Sequence, residues 1–142
     1  MNITQSRIEE RKRGLIRDYS AMGFNYHSVI RLDTFKDYSE AYTQPYNAKM
    51  SIGYIDRIMD NFVKRRTVDY AIAFLEQDDY LNNHLHFAWK CSIELNRSQI
   101  SNSMKTKQRY IRNILPIENI EQAMSYFSKR LYSKGSYTNM YI

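Results

Sequence analysis

Asn83-His84-Leu85-His86-Phe87-Ala88-Trp89-Lys90 alternates with the period of a β-strand. Successive strand side chains point to opposite faces, so His84, His86, Ala88 and Lys90 share one face. Leu85, Phe87, Trp89, Cys91 and Ile93 share the other, a strongly apolar face suited to a core. The first face presents two imidazoles at a spacing that can hold one metal ion. Two histidines plus a carboxylate leave coordination positions open for water or substrate.

Working outward, residues 68–76 read as a second strand, with Val68, Tyr70, Ile72, Phe74 and Glu76 on one side. The short polar link 77–83 predicts an antiparallel hairpin with a strand over 84–95. Looped back across that hairpin, Glu76 can approach the histidines. Upstream, 4–19 reads as a helix capped by Thr4, within an N-terminal region 1–22 closed by Gly23. A strand over 24–32 follows, with His27, Val29 and Arg31 on one side; His27 reads as a strand histidine. Residues 33–49 are polar and aromatic and read as a long loop or a loop with a short helix. A clear amphipathic helix spans 50–66, with Ser51 as its cap and Ile52, Ile55, Met59, Phe62 and Val63 as its stripe. Lys64, Arg65 and Arg66 close it, where cations favour a helix C-terminus and are also able to meet phosphates.

Downstream, 96–107 reads as a loop or short helix and 110–117 as a strand interrupted late by Pro116. A helix is expected over 117–133, with Ile120, Met124, Phe127 and Leu131 toward the core and Gly135 as its C-cap. Residues 136–142 form a tail that is either loose or an edge strand. The expected fold class is α+β: one domain over 1–142, a central antiparallel sheet with the hairpin at its middle, and helices packed against it.

The chain of 142 residues carries a formal net charge of +6 and a pI of about 9.4, which favours an anionic partner. Of the thirteen tyrosines, Tyr38, Tyr42, Tyr46, Tyr110, Tyr132 and Tyr137 lie among basic or polar residues. Aromatics in such company can stack on unpaired bases. The single cysteine, Cys91, falls on the apolar face and excludes an intrachain disulfide. No apolar run approaches a membrane span, and residues 1–17 lack a signal-peptide core. The expectation is a cytoplasmic protein with no membrane partner.

The last predicted helix carries Tyr126-Phe127-Ser128-Lys129, a Tyr-x-x-Lys spacing that sets Tyr126 and Lys129 one turn apart on one face, beside Ala123 and Arg130. A His-hydrophobic-His strand followed by Tyr-x-x-Lys on a later helix resembles the HUH endonucleases, and among them the rolling-circle replication initiators. The likeness covers roughly residues 25–134, with specific residues in these two motifs only.

The resemblance implies metal-dependent nicking and joining of single-stranded DNA. Tyr126 would be the nucleophile, forming a 5′-phosphotyrosyl link and freeing a 3′-hydroxyl. A phenol ionises near pH 10, so Lys129 would stabilise developing phenolate or hold the phosphate. Mg²⁺ or Mn²⁺ would sit on His84 and His86, with Glu76 as third ligand and Gln77, Asp78 or Asp79 as alternatives. Arg130, Lys90, Lys64, Arg65 and Arg66 would contact DNA. The implied setting is rolling-circle replication of a virus, phage or plasmid, with an origin, as a plain strand or a hairpin, as substrate and a helicase or polymerase as partner. Tyr132 falls about 240° from Tyr126 on an ideal helix, so a single catalytic tyrosine is expected.

The same motifs occur in single-tyrosine transposases of the IS200/IS605 kind, which tend to carry glutamine where this chain has Lys129. Two further alternatives are a non-catalytic, basic binder of single-stranded nucleic acid and a metal hydrolase that uses the histidines alone.

Overall fold

The computed structural model describes residues 3–32, 50–77, 83–129 and 135–142. The loop expected over 33–49, with Tyr38, Tyr42 and Tyr46, lies outside them. So do Asp78, Asp79, Arg130, Leu131 and Tyr132.

The hairpin sits at the centre. β2 (Val68–Glu76) and β3 (His84–Cys91) pair antiparallel, with Glu76 opposite His84 and Phe74 opposite His86. β1 (Tyr26–Ile30) lies on the other side of β3, with Val29 opposite His86 and His27 opposite Ala88. β4 (Ile111–Pro116) pairs with β1, and β5 (Tyr137–Tyr141) pairs with β2. The order is β4-β1-β3-β2-β5, antiparallel throughout, so β3 is the middle strand of five. The α+β expectation with His84 and His86 on the central strand is met.

The pleat divides this sheet into two unlike faces. Leu85, Phe87 and Trp89 of β3, with Ala71, Ala73 and Leu75 of β2, pack under α2 (Ile52–Val63) and α3 (Arg97–Met104). Phe62 of α2 meets Phe87 and Trp89 edge-on, with ring centroids 5.8 and 5.4 Å apart. Aromatic pairs of this geometry add to the gain from burial. Cys91 is buried on this face, as its position in the alternation predicts. The opposite face, with Ile72, Phe74 and Ala88, packs under α1 (Ile3–Ser20) and α4 (Ile120–Phe127) through Ile16, Tyr19, Met124 and Phe127. This second core extends only part-way along β3, and the histidines lie where it thins out.

Several boundaries differ from those expected, each for a local reason. β3 stops at Cys91 because the Asn25 side chain takes over the ladder: its amide donates to the Cys91 carbonyl and its oxygen accepts the Cys91 N–H, both at 3.0 Å. Ile93 therefore leaves the core and is 53% exposed. Thr4 lies inside α1 rather than capping it, since that helix begins at Ile3. Ser51 does cap α2, accepting the Tyr54 N–H at 3.1 Å, but the helix ends at Val63 and Ile52 is exposed.

α4 starts at Ile120, because the Ile117 N–H is held by the Asn25 carbonyl and Asn119 supplies the cap. It closes at Phe127, so Gly135 is not its C-cap. Gly135 stands before β5 at φ 82°, where an added Cβ would meet the Gln77 carbonyl oxygen at 2.7 Å. The tail is an edge strand: Tyr137 and Tyr141 both donate to one carboxylate oxygen of Asp56 on α2, at 2.9 and 2.7 Å. Tyr137 is thus a structural residue.

α3 begins with a reciprocal cap. Asn96 accepts the Gln99 N–H at 2.8 Å, and the Gln99 side chain accepts the Asn96 N–H at 2.9 Å. Asn96→Ala should cost about 1 kcal/mol of stability in denaturant unfolding. An unchanged midpoint would show that α3 does not depend on its cap.

Candidate metal centre and its tyrosine

The antiparallel register makes the centre. Glu76 closes β2 and His84 opens β3, so their side chains emerge side by side on one face. Glu76 Oε2 lies 3.1 Å from His84 Nε2. His86, two residues along, sets its ring edge-on to His84 with centroids 4.7 Å apart. One ligand atom from each of Glu76, His84 and His86 lies within 4.8 Å of the others, and all three residues are buried. Among the described residues this is the one such group of three or more metal-ligating side chains. It unites the two histidines with the expected third ligand.

His86 carries the clearest sign of a missing partner. It is only 5% exposed, and neither ring nitrogen has a hydrogen-bond partner. Buried polar atoms are normally satisfied, and an imidazole lone pair is what a cation takes up. Burial, aided by the positive charges of His84, Lys129, His27 and Arg31, pushes the His86 imidazole down to about 3. It is neutral at ordinary pH, the state in which histidine ligates a metal. The donor set, two nitrogens and one carboxylate oxygen, fits a divalent cation.

α4 brings the tyrosine. Phe127 points inward and stacks on His86 at 5.1 Å, touching His27 and Phe74 on its flanks at 5.2 and 5.9 Å. That anchor turns its neighbour Tyr126 outward, 54% exposed, with its ring 5.5 Å from that of His86. Lys129 lies over the Tyr126 ring, its Nζ 4.2 Å from the centroid and 3.7 Å from Glu76 Oε1. Glu76, His84, His86, Tyr126 and Lys129 therefore converge at one end of the central hairpin, on one face of the sheet.

The basic residues divide differently. Val68 pairs with Cys91 at the end of the hairpin opposite Glu76 and His84. Lys64, Arg65 and Arg66 precede Val68, and Lys90 precedes Cys91, so none of the four joins the centre. Arg65 donates instead to Ser103 Oγ of α3 at 3.1 Å. Arg130 lies outside the described residues. Tyr110 is flanked by Lys107 and Arg109, each 5.7 Å from its ring, away from the histidines.

Among the described residues, grooves lie on both sides of α4. One, of about 550 Å³, is lined by Arg13, Arg17 and Ser20 of α1 with Glu121 and Ser125 of α4. The other, of about 740 Å³, runs from His86 and Tyr126 across to β1 and β4. Neither is visible in the local pattern, because both depend on how α4 seats between distant elements. Arg31 is a cation near His86 that only the strand register reveals.

No helix among the described residues is long and apolar enough to cross a membrane. The chain matches no protein-family model, and no curated protein or solved structure matches it.

Proposed function

We propose that this chain is a metal-dependent endonuclease that nicks and rejoins single-stranded DNA through a phosphotyrosyl link. The observation that carries the reading is the convergence of an exposed tyrosine and a lysine on a buried Glu–His–His trio. A plain nucleic-acid binder has no need of that arrangement, and a hydrolase using the histidines alone has no need of Tyr126.

Glu76, His84 and His86 would hold the cation, which would supply Lewis-acid polarisation of the scissile phosphate when bound. The two imidazole donors suit Mn²⁺ better than Mg²⁺, which prefers oxygen. The Tyr126 oxygen attacks phosphorus as its proton passes to solvent. The new P–O bond forms as the bond to the 3′-oxygen breaks, and that oxygen takes up a proton to leave as a 3′-hydroxyl. Lys129, held between Glu76 and the Tyr126 ring, offsets the charge that develops on the phenolic oxygen and phosphate. Rejoining is the reverse attack by the 3′-hydroxyl.

Lys129, three residues after the tyrosine, favours a rolling-circle initiator of a virus, phage or plasmid over a transposase. An origin strand would be the substrate and a helicase or polymerase in the host cytoplasm the partner.

The test is incubation with a diverse pool of labelled single-stranded DNA and Mn²⁺, read on a denaturing gel. A protein–DNA adduct that disappears with chelator is expected. No adduct from any sequence in the pool would overturn the reading.

A further inference from the structure

The 740 Å³ groove beside the centre has its own chemistry. It shares His86, Tyr126 and Phe127 with the proposed metal centre, so whatever fills it lies against Tyr126. Among the described residues its lining holds no lysine or arginine and one carboxylate, Glu118. Such a wall repels a phosphodiester. Leu115 and Phe127 give it apolar surface, and its size is that of a small-molecule pocket.

Two polar groups on the strands face the same space. His27 lines the groove, and its Nδ1 is buried without a hydrogen-bond partner. Asn113 sits at φ 57° where β4 bulges against β1: Val29 pairs with Arg112, but His27 pairs with Leu115. The bulge takes Asn113 out of the ladder and leaves its amide exposed on the groove.

An apolar wall, an unmet imidazole nitrogen, an amide and a carboxylate, with no cation, suit a neutral, flat heterocycle with a hydrogen-bonding edge. We propose that this groove is a nucleobase subsite for the nucleotide adjoining the scissile phosphate. Glu118 can only accept hydrogen bonds when ionised, so the subsite prefers a base with an exocyclic amino group over thymine. The inference rests on reading the adjacent centre as one that handles single-stranded DNA.

The test is amide NMR of the full chain, with chelator present, titrated with trideoxynucleotides of adenine and of thymine. Shifts at His27, Asn113 and Leu115 are expected, saturating at about tenfold lower concentration for the adenine trimer. Asn113→Gly keeps the left-handed backbone accessible and removes the amide, so it should weaken binding of the adenine trimer while the spectrum stays native. Shifts confined to other surfaces, or equal affinity for both trimers, would overturn the subsite. The adduct assay separates the two readings. Base-selective binding in the groove with no adduct from any DNA would retain the subsite and remove the nicking chemistry. Adducts formed without base preference, and without shifts in the groove, would do the reverse.

Discussion

Tyr126→Phe should abolish the covalent adduct of the proposed reaction, with a loss in nicking rate on the order of 10³-fold or more, because it would delete the attacking atom and little else. The Tyr126 side chain is half out of the protein, and its ring contacts with His86 and Lys129 do not need the hydroxyl. The variant should therefore unfold within about 0.5 kcal/mol of the parent. It should also bind Mn²⁺ as the parent does, since Glu76, His84 and His86 are untouched. Adduct yield, denaturant midpoint and Mn²⁺ affinity measured together distinguish a lost nucleophile from a damaged site. An adduct that survives Tyr126→Phe and vanishes in Tyr132→Phe would move the nucleophile to Tyr132.

Acid should destabilise the metal-free protein well before carboxylates titrate in bulk, and His86 should be the main cause. In the unfolded chain its imidazole takes a proton as pH falls through about 6.5. In the folded protein burial holds it neutral down to about 3. Between those values the unfolded chain binds more protons, so stability rises with pH and is lost on acidification. Each pH unit below 6.5 costs about 1.4 kcal/mol, or about 2 kcal/mol by pH 5. Burial lowers His27 as well, adding a smaller loss of the same sign. Denaturant unfolding in chelator at pH 7 and pH 5 measures this. His86→Phe should remove most of the difference, and an equal loss in that variant would show that His86 is not the group responsible.

The parts legible in the sequence are those with a short period or a short loop. Val68–Glu76 matches its expected bounds because its alternation is bracketed by turns, and the hairpin then fixes Glu76 opposite His84. Tyr126 and Lys129 do come together, but Lys129 lies two residues past the end of α4 rather than on its face. The misplacements arise where a distant group decides. Asn25 ends β3 and delays the start of α4, and nothing near Cys91 or Ile117 announces it. The tail becomes β5 through pairing with β2 and tyrosine bonds to Asp56. The basic clusters looked alike as composition. Only the register shows that Lys64, Arg65, Arg66 and Lys90 stand at the far end of the hairpin while Arg31 stands near His86.

The three candidate ligands come from one hairpin, whereas Tyr126 rides on a helix that follows β4, the strand that crosses the sheet to pair with β1. Closing a short loop costs less entropy than closing a long one, so local contacts form early in folding. The Glu76–His84–His86 half of the proposed site is thus assembled from neighbours in sequence, and Tyr126 joins it through longer-range contacts. On the proposed reading, the metal-holding residues would come together before the nucleophile reaches them.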